Sequence, residues 1–222
     1  MIKKCFPLLL ALTLLLGLTA CGGSEEAAQT QADSSATVGG EIDSTKEGSS
    51  EADVLTRAGQ PEETQGKVLV AVFSATGTTK GVAEKIAAIE NAELYEIKAA
   101  QEYTAADLDW HDSSSRTTAE QNDKSVRPAI GSAPISLDGY ERIYIGYPIW
   151  WGEEPRILDT FVESCDFTGI TVIPFCTSGG SGIGRSGQNL AENAGTGNWL
   201  EGRRFSGGVS ESELQSWIDS LS

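Results

Sequence analysis

Three short stretches carry residue types able to hold a ligand. Ser74-Ala75-Thr76-Gly77-Thr78-Thr79 sets four hydroxyls and one glycine between an apolar run and an amphipathic stretch. Hydroxyls donate to anions, and the free N–H groups and dipole of a starting helix favour phosphate. Tyr147-Pro148-Ile149-Trp150-Trp151-Gly152 places two indoles side by side, a surface suited to a flat aromatic ligand. Thr177-Ser178-Gly179-Gly180-Ser181-Gly182-Ile183-Gly184 holds four glycines in six residues, so its backbone can approach a ligand closely. Plainer readings exist: a capping turn for the first stretch and a partner-binding patch for the second.

Other chemistries fit less well. A nucleotide-triphosphate loop needs an earlier glycine and a Lys-Ser or Lys-Thr pair, but Lys80 is followed by Gly81. Gly182, Gly184 and Gly187 match the dinucleotide spacing, yet no convincing strand ending in an acid follows about 20 residues on. His111 is the single histidine. A Ser-His-Asp or Cys-His site would have to use it, and a solvated or capping role is the plainer reading. No His, Cys, Asp and Glu cluster has metal-ligand spacing.

The elements that must position these loops alternate. Val68–Phe73 is a continuous apolar run, as expected of a parallel strand buried on both faces. Val82, Ala83, Ile86, Ala87 and Ile89 follow at helical spacing. Glu93–Lys98, Glu141–Gly146 and Thr171–Cys176 read as strands, with a short last one around Arg204-Phe205. Pro155 opens a helix carrying Ile157, Leu158, Phe161 and Val162, and Ser210 through Glu213 forms a capping box for a final helix. Residues 99–134 are polar and weakly periodic; Thr104 and Asp107 are placed to cap a turn carrying Leu108 and Trp110, and 113–123 shows no apolar face. This order predicts a doubly wound α/β sheet with all three loops at one edge.

The hydroxyl-rich loop, a near match to S/T-x-T-G-x-T with Thr78 where many members carry Asn, resembles the flavodoxin family, and so does Tyr147–Gly152. The resemblance covers nearly all of Lys67–Ser222. It implies a five-stranded parallel sheet of order 2-1-3-4-5 in an α/β/α sandwich, with FMN as cofactor. It assigns the phosphate to Ser74, Thr76, Gly77, Thr78 and Thr79, and the isoalloxazine to Pro148, Ile149, Trp150, Trp151 and Gly152. Thr177, Ser178, Gly179, Gly180 and Gly182 become the third flavin-contacting loop. Residues 103–130 look like the replacement of the second helix found in a subgroup of bacterial flavodoxin-like proteins. Glu153 and Glu154 follow the tryptophans directly, and negative charge there is expected to disfavour a reduced anionic flavin.

Residues 1–21 resemble a bacterial lipoprotein signal. Lys3 and Lys4 precede an apolar run from Phe6 to Leu18, and small residues lead to Cys21, the expected lipidation site. The run is short for a membrane span. Residues 22–66 hold no aromatic residue, and ten acids against two bases give −8, the composition of an extended tether. Lys67–Ser222 carries 22 acids and 12 bases, net −10, which disfavours nucleic acid and anionic membrane surfaces. Cys165 and Cys176 should lie at opposite ends of a strand as two buried, unbridged thiols.

The expected protein is therefore a membrane-tethered, extracytoplasmic flavoprotein that carries electrons to or from a redox partner protein or a quinone. An NAD(P)H-dependent quinone or flavin reductase is the alternative enzyme, with Arg156, Arg185, Arg203 and Arg204 as candidates for the nucleotide phosphates. A lipoprotein that binds another ligand or a partner is the non-catalytic alternative.

Overall fold

The computed structural model describes residues 66–221. The expected signal segment, Cys21 and all but the last residue of the acidic tether lie outside the described residues. β1 (Lys67–Val72), α1 (Thr78–Glu90), β2 (Glu93–Glu96), α2 (Arg116–Asn122) and β3 (Tyr140–Pro148) come first. α3 (Arg156–Glu163), β4 (Thr171–Thr177), α4 (Ser186–Ala194), β5 (Asn198–Trp199), β6 (Arg203–Phe205) and α5 (Glu211–Asp219) complete the chain. The strands form one parallel sheet of order β2-β1-β3-β4-β5, with β6 also paired to β4.

Strand alternation divides the core in two. Leu69 and Ala71 of β1 join Ile157, Leu158, Phe161 and Leu190 from α3 and α4. Val70 and Val72 join Val82, Ile86, Leu214 and Trp217 from α1 and α5. Burial on both faces is why β1 reads as an unbroken apolar run. The chain leaves β1 toward one face and β3 toward the other, so the two connections diverge and open a crevice at the strands' C-terminal ends.

The single last strand expected from the sequence is two pieces, and Pro174 accounts for the break. β4 pairs with β5 at Thr171 and Val172, and with β6 from Phe175 to Thr177. Val172 accepts the Leu200 N–H, so alternate β4 residues including Pro174 face this side. Proline has no N–H to offer there.

Two helices went unread. α4 follows the glycine-rich loop in a stretch for which the sequence reading placed no element, and α2 lies within the stretch that showed no apolar face. Both bury polar groups. Ser115 caps α2 at the Thr118 N–H (3.3 Å), Thr117 Oγ1 donates to Asp107 O (2.7 Å), and Gln121 Nε2 donates to Glu154 O (3.0 Å). From α4, Asn189 and Asn193 donate to Glu154 and Asp159. The Thr104 and Asp107 cap is reciprocal, with bonds of 2.8 and 3.2 Å. Pro155 stands at the cap of α3, one residue outside it, and Ser210 caps α5 as expected. Cys165 and Cys176 are both free; Cys176 is buried, but Cys165 is only half-buried because it follows the end of α3.

Candidate functional site

The ends of β1, β3 and β4 open onto a cavity of about 560 Å³, within the roughly 300–1,000 Å³ of small-molecule sites. Ser74, Thr76, Thr78 and Thr79 form one wall, and Pro148, Ile149, Trp150 and Trp151 another. Thr177, Ser178 and Gly179 supply the third. Gly77, Gly152, Gly180 and Gly182 do not line it. The first two act on the backbone instead: Gly77 (φ 84°) and Gly152 (φ 85°) make left-handed turns that aim their neighbours. Gly180 and Gly182 stand in open space.

The hydroxyl loop has the character of an anion cradle. No side chain among the described residues caps α1, so the N–H groups of its first turn stay unpartnered within the helix. Ser74 Oγ is buried and has no hydrogen-bond partner among the described residues, an arrangement that costs about 1–3 kcal/mol. Thr79 and Thr177 share a buried 2.8 Å bond between their hydroxyls, tying the first loop to the third. Two hydroxyls own two protons and this bond uses one, so the pair keeps a donor.

The tryptophans are held differently from each other. Trp150 and Glu153 exchange N–H···O bonds of 3.0 Å in both directions. Between them Trp151 (φ 49°) and Gly152 (φ 85°) are both left-handed, the pattern of a type I′ turn. Trp150 is half-buried, edge-on to Phe73 (5.5 Å) and Tyr103 (5.2 Å). Trp151 at the apex is 45% exposed. Ile149 N donates to Thr177 O (2.9 Å), and Arg204 Nη2 donates to Ser178 O (2.7 Å), fixing the second and third loops.

No charged side chain lines the cavity among the described residues, and Glu153 and Glu154 follow the tryptophans without lining it. Glu153 pairs with Arg156 and with Lys124 (3.0 Å), and the Arg156 hydrogen bond foremost holds its carboxyl below the usual range. Glu154 is 1% exposed and accepts bonds of 3.1 and 3.2 Å from Asn189. Burial pushes its carboxyl up to about 7. Of the four arginines offered for a second nucleotide, Arg204 reaches the cavity's edge, donating to Ser178, and the other three pair with carboxylates. Arg156 is buried among Glu153, Glu154 and Asp159, Arg203 pairs with Glu213, and Arg185 pairs with Glu192. His111 lies against Trp110, ring centres 3.4 Å apart and planes tilted by 34°.

Four lining residues lay outside the sequence-predicted loops: Leu108, Trp110, Thr117 and Gly207. A side chain at Gly207 would sit 2.6 Å from the Thr78 methyl, so Thr78 would have to turn to admit one. Trp110 had a visible signal, a large aromatic residue in an otherwise polar stretch. Leu108 shared the same turn, whereas Thr117 and Gly207 had no signal.

The family model described as flavodoxin matches residues 67–221, and the chain belongs to the flavodoxin family. Among solved structures it is 50% identical to a candidate flavoprotein from Bacteroides uniformis, covering 69% of this chain and 98% of that one, with a TM-score of 0.66. A second, from Bacteroides eggerthii, is 47% identical over 70% of this chain and 98% of its own, also at 0.66. A flavoprotein from Lactobacillus acidophilus, solved in complex with FMN, is 26% identical over 69% and 99%, with a TM-score of 0.53. No curated protein matches.

Proposed function

We propose that this protein holds FMN in the cavity above β1, β3 and β4 and carries electrons through it. The observation that carries this reading is Ser74 Oγ, buried without a partner in the wall beside the uncapped start of α1. A phosphate would supply the missing acceptor. The Lactobacillus relative's FMN and family membership support the same ligand. Ser74, Thr76, Thr78, Thr79 and the first-turn amides would hold the phosphate, while Trp150, Trp151, Ile149 and the Thr177–Gly179 backbone would hold the ring system. When bound, FMN supplies reversible redox chemistry at its ring. The chain contributes shape, stacking and neutral donors, and among the described residues no ionisable side chain lines the cavity to move a proton.

Carriage is favoured over pyridine-nucleotide reduction because, among the described residues, no cationic side chain lines the cavity and only Arg204 stands at its edge, on Ser178. Lipidation at Cys21 and an acidic tether would place the domain outside the cytoplasm on a membrane surface, facing a basic redox protein or a quinone. The domain Gly59–Ser222 is a compact unit, and solved relatives consist almost wholly of the matched region, so it serves as a test piece. Loaded with FMN and reduced by a chemical reductant, it should pass electrons to a one-electron acceptor protein. It should show negligible NADH or NADPH consumption with a quinone present. Rapid pyridine-nucleotide turnover would overturn carriage in favour of the reductase.

A further inference from the structure

Gly207 lines the cavity from the turn between β6 and α5. A Cβ at this position would lie 2.6 Å from the Thr78 methyl and 4.0 Å from the Thr78 Cβ, the first far inside van der Waals contact. Gly207 is not among the glycines with positive φ, so space rather than backbone conformation keeps a side chain out. We infer that Gly207 is a positioning residue for the phosphate: the absence of its side chain seats the Thr78 methyl, and the seated methyl fixes the Thr78 hydroxyl at the cavity wall. This rests on the FMN reading above.

Both partners of this contact are anchored. Phe205 and Val209, on either side of the turn, are buried in the core packed by α1 and α5. Val209 N donates to Ser206 O (3.1 Å), which closes the turn. Lys85 Nζ from α1 donates to Val209 O (2.7 Å), tying the turn to the helix that Thr78 begins. Thr78 is β-branched, and such a side chain has few staggered positions to choose from. Its methyl and hydroxyl share one Cβ, so placing the first places the second. With the methyl against Gly207, Thr78 Oγ1 lies 3.3 Å from Thr76 Oγ1, and both residues line the cavity. Turning the methyl away from a new side chain at 207 would carry the hydroxyl out of that arrangement. A donor fixed before the ligand arrives loses less freedom on binding. The adjacent Gly208 has open space where a Cβ would stand and does not line the cavity, which makes it the matched control.

The test is a titration of Gly59–Ser222 with FMN and with riboflavin, which lacks the phosphate. It compares wild type, Gly207→Ala, Gly208→Ala, Thr78→Ser and the pair Gly207→Ala with Thr78→Ser. Gly207→Ala should weaken FMN by about tenfold or more, the worth of a hydrogen bond to a charged group, and leave riboflavin unchanged. Gly208→Ala should leave both unchanged. Serine keeps the hydroxyl and lacks the methyl, so in the Thr78→Ser background the Gly207→Ala step should change FMN affinity by less than about twofold. Unchanged FMN affinity in Gly207→Ala overturns the inference, as does a parallel loss of riboflavin, a matching loss in Gly208→Ala, or an equal loss in the Thr78→Ser background. Should Gly207→Ala fail to fold, the pair decides, because it has no methyl to clash: its own failure to fold, or FMN affinity well below that of Thr78→Ser, overturns the inference. A wild-type domain that takes up no FMN overturns the cofactor reading itself, and that result is separate from the comparison of variants.

Discussion

Two residues of the cavity are held in conformations that the empty protein would not favour. Ser74 keeps a buried hydroxyl without a partner among the described residues, and Trp151 holds a bulky side chain at φ 49°, where non-glycine residues are strained by about 1–3 kcal/mol. Such local strain is typical of ligand clamps. Trp151→Asn should therefore stabilise the ligand-free domain by about 1 kcal/mol, because asparagine tolerates the left-handed region. The same change should weaken FMN. Urea unfolding without ligand checks the first half, and no gain in stability would remove strain from the account. Sequence reasoning found both positions by residue type. It did not separate the two tryptophans, because which one turns outward depends on the type I′ geometry and on the Phe73–Tyr103–Trp150 contacts.

At the scale of elements, the readable parts were those stabilised by apolar periodicity. β1, β3, β4, α1, α3 and α5 each bury a hydrophobic face and showed it in sequence. α2 and α4 bury the polar Thr117, Gln121 and Ser186, and Gln121 and Asn189 reach a charged network, so their periodicity is invisible to a hydropathy pattern. That network makes a pH prediction. The folded pKa of Glu154, about 7, lies above the usual carboxylate value near 4.5. The native state therefore binds the extra proton, and this contribution to stability is complete below about pH 4.5 and lost as pH rises through 7. The loss is on the order of 2–3 kcal/mol. Asp159, also raised by burial, adds in the same sense, while Glu153 and Glu163, both lowered, act oppositely at acid pH. Arg156, Arg127 and Lys124 supply the facing positive charge. Glu154→Gln should match wild type near pH 5 and exceed it near pH 8, measured as thermal midpoints. A difference that stays flat across that range would show that Glu154 is ionised throughout.

Across the whole molecule, the domain is strongly acidic while its cavity is lined by uncharged groups. A phosphate held by hydroxyls, amides and a helix N-terminus does not depend on ion pairing to a side chain. Added salt should therefore not weaken binding, since it chiefly screens repulsion from the surrounding acids. The same charge would favour a basic over an acidic protein partner. The measurement that bears most directly on the account is a titration of Gly59–Ser222 with FMN, following tryptophan fluorescence and flavin absorbance at low and high salt. It predicts saturation at one FMN per domain, strong tryptophan quenching, and an affinity that salt does not reduce. No saturation at high micromolar FMN would contradict it.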